Sequence, residues 1–193
     1  MAALDESEWE AMWATYDEDT YARALEYVPD GATVLDIGAG DLRLARRMAG
    51  RARIVYAIER NPDLLSREPR PPNLIVIRGD ARTLPFAEDI DTAVLLMRHC
   101  RHFVLYREKL EAVGCARLIT NARWRMGVEC IDLSVRPLPY AELPIGWYAC
   151  RCGLTGFRPG PTEQLTAELA DLVVEVDQCP ECMNYGRNSH RIS

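Results

Sequence analysis

The residues best suited to chemistry in this chain lie around a glycine-spaced turn at residues 34–40 (VLDIGAG). An apolar run there contains Asp36, continues into Gly38 and Gly40, and is followed by apolar residues at helical spacing. This order predicts a buried strand, a tight turn and a helix. Because glycine has no Cβ, the backbone can bend sharply and a ligand can lie against it. Such a unit is a nucleotide-cofactor site in the doubly wound α/β fold.

Acidic residues end the next two predicted strands. Residues 53–59 (RIVYAIE) end in Glu59, about twenty residues past the glycines, where an acid can hydrogen-bond ribose hydroxyls. Residues 73–80 (NLIVIRGD) end in Asp80. Two more apolar strands and three helical segments follow the same alternation: strands at 91–97 and 116–120, helices at 41–49, 62–67 and 104–113. The pattern predicts an α/β fold with a doubly wound, mostly parallel sheet covered on both faces.

With these motifs, the chain resembles the class I S-adenosylmethionine-dependent methyltransferases over about residues 30–122. The resemblance implies that the glycine turn contacts the methionine part of S-adenosylmethionine. It also implies that Glu59 holds both ribose hydroxyls and that Asp80 accepts a hydrogen bond from the adenine amino group. The predicted cofactor-binding residues are Asp36, Gly38, Ala39, Gly40, Glu59, Arg60, Asp80, Ala81 and Met97. The implied activity is methyl transfer to an acceptor.

The chain departs from the family pattern at several points. Leu42 stands where a third glycine is often found, and Asp41 adds a carboxylate to the turn. A carboxylate disfavours the pyrophosphate of a dinucleotide but favours a cationic sulfonium. Residues 97–102 (MRHCRH) replace the Asn/Asp-Pro-Pro-Tyr signature of base-methylating enzymes. His99 and His102 are the candidate catalytic bases, because histidine titrates near neutral pH.

Four cysteines form a second constellation, Cys150 with Cys152 and Cys179 with Cys182. The C-x-x-C pair is a knuckle of the kind that wraps zinc, and the C-x-C pair is followed by a glycine. We predict a structural zinc site with four cysteine ligands. An iron–sulfur cluster stays open, because it also needs four thiolates. A redox pair, a catalytic zinc and ligation by His190 are weaker alternatives.

Charge is unevenly distributed along the chain, whose net charge is −6. Residues 5–30 hold nine acids and one base, whereas residues 98–125 hold seven bases and two acids. Overall acidity argues against avid non-specific binding to nucleic acid. The basic residues after the fourth and fifth strands suit the rim of a site for an anionic acceptor, and an ordinary solvated face is the alternative. These rim candidates are Arg98, Arg101, Arg123 and Arg125.

The 193 residues predict one domain with an appendage. We assign an N-terminal helical segment to 1–30, a Rossmann-like core to 31–136 and a zinc-ribbon-like module to 137–193. Within this module the sequence predicts a linker at 137–144, a helix over 162–171 from its leucine spacing, and a strand over 172–176 that leads to Cys179. No apolar run approaches a membrane span and no leader pattern opens the chain, so the expected location is the cytoplasm. An aromatic stripe in the first segment favours a helix packed on the sheet, although Tyr16 or Tyr21 alternatively contacts the cofactor. The stripe comprises Trp9, Met12, Trp13, Tyr16 and Tyr21.

Three functions are compatible with these features. The first is a methyltransferase that uses S-adenosylmethionine and a structural Zn²⁺, with a small anionic molecule, RNA or protein as acceptor. The second is a catalytically degenerate cofactor-binding protein whose zinc module mediates protein or nucleic-acid interactions. The third is a nicotinamide-dependent enzyme, which the acidic turn disfavours. The sequence identifies neither the acceptor nor the oligomeric state.

Overall fold

The computed structural model describes residues 15–65, 68–98, 100–123 and 126–183. In chain order its helices and strands are α1 Glu18–Glu26, β1 Thr33–Ile37, α2 Arg43–Ala49, β2 Ile54–Glu59, β3 Leu74–Arg78, β4 Thr92–Leu95, α3 Phe103–Ala112, β5 Arg117–Thr120, β6 Glu129–Asp132, β7 Gly146–Cys150, β8 Thr155–Arg158, α4 Ala167–Asp171 and β9 Val173–Val176. Three short 3-10 helices lie at Pro62–Leu64, Tyr140–Glu142 and Thr162–Gln164. No helix of the described part is long and apolar enough to cross a membrane.

The larger sheet has the strand order β3-β2-β1-β4-β5-β6. Its first five strands are parallel, and β6 is antiparallel to β5. Core side chains of α1 and α2 pack on one face of the sheet, and those of α3 pack on the other. The predicted α/β fold with a doubly wound, mostly parallel sheet is therefore confirmed.

The order of the strands reverses beside β1, which pairs with β2 on one side and with β4 on the other. In open α/β sheets a crevice forms at such a switch point, outside the carboxyl ends of the strands. All five residues of β1 are buried, which explains its continuous apolar run. The fold thus presents the turn after β1 at the place where ligands bind.

The smaller sheet has the order β8-β7-β9, with β7 antiparallel to β8 and parallel to β9. A separate apolar cluster fills its inner face, and this cluster comprises Leu143, Tyr148, Cys150, Val176 and Cys179. We predicted a helix over 162–171 and a strand over 172–176 here, and the structure has a 3-10 turn, the short α4 and β9. We did not predict β6, β7 or β8 from the sequence. The assumed linker at 137–144 instead pairs with the end of β9, because Leu138 bridges Val176.

Leu42 has a left-handed backbone conformation, with φ of +67°, at the start of α2. Its side chain is fully buried in the core under α2. The left-handed conformation costs a residue with a Cβ about 1–2 kcal/mol. Leu42 therefore occupies the geometry that a third glycine would adopt and offsets the strain by burying its side chain.

This strain leads to a prediction about two variants at position 42. Leu42→Ala should lower the free energy of unfolding by about 2–5 kcal/mol, because it leaves a cavity while keeping the strained backbone. Leu42→Gly should be no less stable than Leu42→Ala, because glycine relieves the strain. Urea unfolding measures both.

Leu44, which is buried on the regular part of α2, is the matched control. There the glycine variant should be about 1 kcal/mol less stable than the alanine variant. If glycine is as unfavourable at position 42 as at position 44, the left-handed conformation carries no strain.

Candidate functional site

An open cleft lies at the switch point, above the carboxyl ends of β1 and β4. It encloses about 360 Å³, including its open mouth, and is lined by Tyr16, Tyr21, Asp36, Gly38, Ala39, Gly40, Asp41, Leu44 and Leu96. Four of the nine predicted cofactor-binding residues are among these. The sequence did not single out Leu44 or Leu96 for this role, because their apolar side chains only indicated core packing.

The turn after β1 depends on both of its glycines. Gly38 and Gly40 have φ values of +74° and +54°, in the region that a Cβ disfavours. The backbone N–H groups of Gly38 and Ala39 donate to the carbonyl of Ile58, at 2.9 and 3.0 Å. A Cβ on Gly38 would lie 3.0 Å from the Cε of Met97. Met97, a predicted cofactor residue, therefore packs directly over the turn.

Glu59 connects the end of β2 to this turn. Its Oε2 accepts a hydrogen bond of 2.8 Å from the Gly40 N–H, and its Oε1 accepts one of 2.7 Å from the Asn61 N–H. The residue is buried. An ionised carboxylate has about four acceptor sites, so each oxygen can still accept one more hydrogen bond. The arrangement suits a pair of hydroxyl groups, and the ribose role of Glu59 stays a prediction.

Asp36 lies at the base of the cleft and is 4% exposed. Burial, and then the negative charge of Glu59, raise the pKa of Asp36 to about 7. The negative charge of Glu59 therefore disfavours the ionised form of Asp36 in these water-poor surroundings. A cation bound in the cleft would relieve this repulsion and favour the ionised form of Asp36.

Asp80 follows β3 and forms an ion pair with Arg82. Its oxygens accept from the Nε and Nη2 of Arg82 at 2.6–3.0 Å, and Arg60 lies 3.9 Å away. The hydrogen bonds from Arg82 lower the pKa of Asp80 to about 2. The Lys109 ammonium donates to the carbonyls of Ala81 and Leu84 and holds this loop in place. An adenine amino group would therefore share Asp80 with Arg82, and the predicted adenine contact is untested.

His102 stands beside the same ion pair, immediately before α3. Its Nε2 lies 3.4 Å from the Nη1 of Arg82, and its ring meets that of Tyr106 edge-on. His99 lies outside the described residues. The catalytic role of either histidine stays a prediction, and His102 lies on the Asp80 side of the site.

The segment before α1 covers part of the cleft. The Tyr21 hydroxyl accepts from the Tyr16 N–H, and the Tyr16 hydroxyl accepts from the Arg98 N–H, both at 3.1 Å. The Arg98 guanidinium lies 5.3 Å from the centre of the Tyr16 ring. Tyr21 is also buried against the core, as expected for a helix packed on the sheet. Contact of Tyr16 or Tyr21 with the cofactor stays a prediction. Trp9, Met12 and Trp13 lie outside the described residues.

The four predicted cysteines come together at the end of the smaller sheet. Parallel pairing of Cys150 with Val176 brings the C-x-C turn beside the segment that leads to Cys179. All four Sγ atoms lie within 4.8 Å of one another, and three of the Sγ–Sγ distances are 3.7–3.8 Å. A tetrahedral zinc with Zn–S bonds of about 2.3 Å requires Sγ–Sγ edges of about 3.8 Å. The donor set therefore fits one tetrahedral ion, whereas a disulfide requires about 2.05 Å.

Arg123 is not on the rim of the site, and our prediction for it was wrong. It is 4% exposed and forms ion pairs with Glu129 of β6 and Glu175 of β9. The error arose because the sequence did not predict β6, which carries Glu129, and did not show that β9, which carries Glu175, lies beside Arg123. Arg98 and Arg101 are exposed at the carboxyl edge, and Arg125 lies outside the described residues.

Asn121 is a candidate site residue that the sequence analysis missed. It is 4% exposed, and neither its amide nitrogen nor its amide oxygen has a hydrogen-bond partner in the described part of the chain. Thr120 pairs with Leu95 in the sheet, so Asn121 follows β5 at the edge where Leu96 lines the cleft. A buried, unpaired amide is costly, which makes it a candidate for ligand contact. An asparagine directly after an apolar strand was the available signal.

The unpaired amide of Asn121 leads to a stability prediction. Asn121→Leu should raise the free energy of unfolding by about 1–3 kcal/mol, because it removes the desolvation penalty at similar volume. Asn73→Leu is the control: the Asn73 amide donates to the carbonyls of Ala49 and Ala52, so its loss should destabilise the protein. Urea unfolding of both variants measures the difference. A destabilised Asn121→Leu protein would show that the amide has a partner in solution.

Comparison with known proteins gives partial matches, and no family model matches the chain. Over 58 residues it is 38% identical to the Pyrobaculum islandicum protein named "Probable ribosomal RNA small subunit methyltransferase A", a match covering 29% of this chain. The chain spans about a quarter of that relative's length, 25%.

Among solved structures, the following two have a similar arrangement of the chain. Precorrin 8w decarboxylase of Methanobacterium thermoautotrophicum has 22% identity and a TM-score of 0.49, with 60% of this chain and 68% of that chain covered. Phosphoethanolamine N-methyltransferase 1 of Haemonchus contortus, in complex with phosphoethanolamine and S-adenosylhomocysteine, has 19% identity and a TM-score of 0.44, with 57% and 26% covered.

Proposed function

We propose that the chain is a class I-type S-adenosylmethionine-dependent methyltransferase with a structural zinc site. The observation that carries the proposal is the cleft at the switch point, where Asp36 and Glu59 lie beside a turn with two left-handed glycines. Two buried acids suit a ligand that carries positive charge next to a pair of hydroxyls. S-adenosylmethionine has both features, and the relative from Pyrobaculum islandicum bears a methyltransferase name.

Different residues of the cleft would bind different parts of the cofactor. The turn at Gly38 and Gly40 would lie against the methionine part, Glu59 would accept from the ribose, and the Asp80 loop would face the adenine. When bound, the cofactor supplies an electrophilic methyl group on a cationic sulfur. The apolar side chains of Leu96 and Met97 would exclude water from that end of the cleft. The protein's main contribution would then be alignment of the acceptor with the methyl carbon.

The acceptor would approach from the side of β4 and β5, across the carboxyl edge of the sheet. Arg98 and Arg101 are the exposed cations there, and they suit an anionic acceptor such as a phosphate-bearing molecule or RNA. His102 is the described candidate for removing an acceptor proton. The acceptor itself is left open, because the match to the rRNA methyltransferase covers a quarter of that protein.

The cysteine site would serve the fold rather than the chemistry. Four thiolates close the coordination sphere of zinc, so no position is left for a water or a substrate. Because the described part of the smaller sheet buries one small cluster, metal binding would supply much of its folding free energy.

The raised pKa of Asp36 predicts a pH dependence of S-adenosylmethionine binding. The folded free protein holds a proton on Asp36 below pH 7, and only the ionised carboxylate attracts the cationic cofactor. The apparent Kd should therefore fall by up to about tenfold between pH 6 and pH 8 and then level off. Titration calorimetry at several pH values measures it, with two buffers of different ionisation enthalpy to count the released protons.

Asp36→Asn is the control, because it keeps the size of the side chain and cannot ionise. Subtracting its profile removes the contribution of the cofactor's own titrating groups. Identical profiles for the two proteins would exclude Asp36 as the cation partner, and a wild-type protein that does not bind S-adenosylmethionine would contradict the proposed function. Binding without any methylated product in a screen of acceptors would instead favour the degenerate cofactor-binding protein.

The zinc site predicts about one zinc per purified chain. Cys182→Ser should reduce the metal content and expose the chain after about residue 145 to protease, because the ligands hold that module together. Cys130→Ser, a half-buried cysteine outside the quartet, is the control and should keep its zinc. If the purified protein contains iron and has a visible absorption band, the four cysteines hold an iron–sulfur cluster instead of zinc. A folded protein without any metal would refute the site.

A further inference from the structure

One carboxylate joins the smaller sheet to two parts of the core. Glu175 of β9 forms an ion pair with Arg123, just after β5, through one oxygen. Its other oxygen lies 3.1 Å from the Nη1 of Arg107 in α3. Both guanidinium side chains are 2% exposed. Buried charges of this kind require a partner, and removal of one member of such a pair typically costs several kcal/mol.

The segments that carry the cysteines hold this network at two points. Glu175 immediately precedes Val176, the residue that pairs with Cys150. Arg151, between Cys150 and Cys152, forms an ion pair with Glu111 of α3, and Glu111 also pairs with the Nε of Arg107 at 3.0 Å. The metal ligands therefore determine where the charged groups meet α3.

A third contact connects the cysteine turn to the start of α3. Gly153 has φ of +92°, and a Cβ on it would lie 3.1 Å from the Cδ1 of Phe103, the first residue of α3. The glycine thus allows the turn after Cys152 to lie against the helix. Phe103 is buried and follows directly on His102.

The elements held in this way are those on the acceptor side of the cleft. Arg123 lies two residues after Asn121, and α3 follows the segment that begins at Met97 and includes His102. The groups assigned to the methionine and ribose parts of the cofactor are held differently, since Glu59 bonds to Gly40 and Asn61, within the first third of the chain. The Asp80 loop is instead tied to α3 by Lys109. The acceptor side and the end formed by the glycine turn and Glu59 therefore have separate supports.

We propose that Glu175 is a positioning residue, through which the metal-bound module fixes the loop after β5 and the start of α3 for the acceptor. This inference rests on the proposed function, which assigns one side of the site to the acceptor and the other to the cofactor. Its physical claim is that metal release loosens the acceptor side but leaves the cofactor cleft intact. The metal acts through the ion pairs of Glu175 with Arg123 and Arg107.

The test compares the full-length zinc-loaded protein with its chelated form by hydrogen exchange. Peptides covering residues 100–107 and 117–123 report on the acceptor side, and a peptide covering residues 54–59 reports on the cofactor side. Chelation of the wild type should accelerate exchange in the first two by about tenfold or more, with little change in the third. S-adenosylhomocysteine affinity, measured by calorimetry, should change by less than about twofold.

Glu175→Gln should reproduce this loosening with its zinc still bound. Because the metal acts through Glu175, chelation of the variant should add less than about threefold more in the two acceptor-side peptides. Glu168→Gln is the matched control: it is an exposed glutamate of α4 in the same module and should behave as wild type. Glu175→Asp keeps the charge but shortens the side chain, so it should give a smaller acceleration in the same peptides if the glutamine variant does not fold.

Three outcomes would overturn the proposal. Exchange in zinc-loaded Glu175→Gln and Glu175→Asp could equal that of the wild type. Chelation could accelerate exchange as strongly in the variants as in the wild type, which would show that the metal acts by another route. Loss of S-adenosylhomocysteine affinity in step with the loosening would show that the two ends share one support. A wild type that never binds S-adenosylhomocysteine would contradict the proposed function, while the exchange results would still decide the coupling.

Discussion

Parallel pairing of β1 with β2 and with β4 is the constraint on which the rest of the site depends. Because the carboxyl ends of parallel strands meet at one edge, the pairing gathers Asp36 and Glu59 beside the turn after β1. The same pairing makes the two acids repel each other, so the folded protein binds a proton on Asp36 that the unfolded chain releases near pH 4. The contribution of that proton to stability is present at acidic pH and is lost as the pH rises through about 7. In the free protein, Asp36 is therefore the group that a bound cation would stabilise in its ionised form.

Elements that are recognisable from their own residues were predicted from the sequence, whereas elements and side chains that depend on contacts far along the chain were not. The five parallel strands were predictable because each contains an apolar run, and β1 and β4 are buried along their whole length. The turn was predictable because only glycine adopts its geometry readily. The cysteine quartet was predictable from spacing alone. The strands β6, β7 and β8 were not, since they are short and partly exposed, and their sequences alternate too weakly to indicate strands. Arg123 was misplaced because its partner Glu175 lies 52 residues further along the chain.

The uneven charge of the sequence has a local explanation in the fold. The acids around α1 meet the bases at the end of α2: Glu18 pairs with Arg47, and Asp30 pairs with Arg51. These pairs are largely exposed, so each contributes little to stability. The pairs around Glu175 are different, because both guanidinium side chains are 2% exposed and would be left as buried, uncompensated charges without their carboxylate. The acidic and basic stretches therefore reflect two kinds of interface, an exposed one between helices and a largely buried one beside the smaller sheet.

The cleft and the cysteine module are formed by different parts of the chain, and these parts are synthesised one after the other. The groups that line the cleft all precede residue 98, whereas the four cysteines lie between residues 150 and 182. The ribosome therefore completes α1 to β4 long before Cys182 exists, and domains generally form in that order during synthesis. The final cysteine closes the quartet only when the chain is nearly complete. Zinc supply in the cell would thus act on maturation at its last stage, on a chain in which the residues of the cleft are already present.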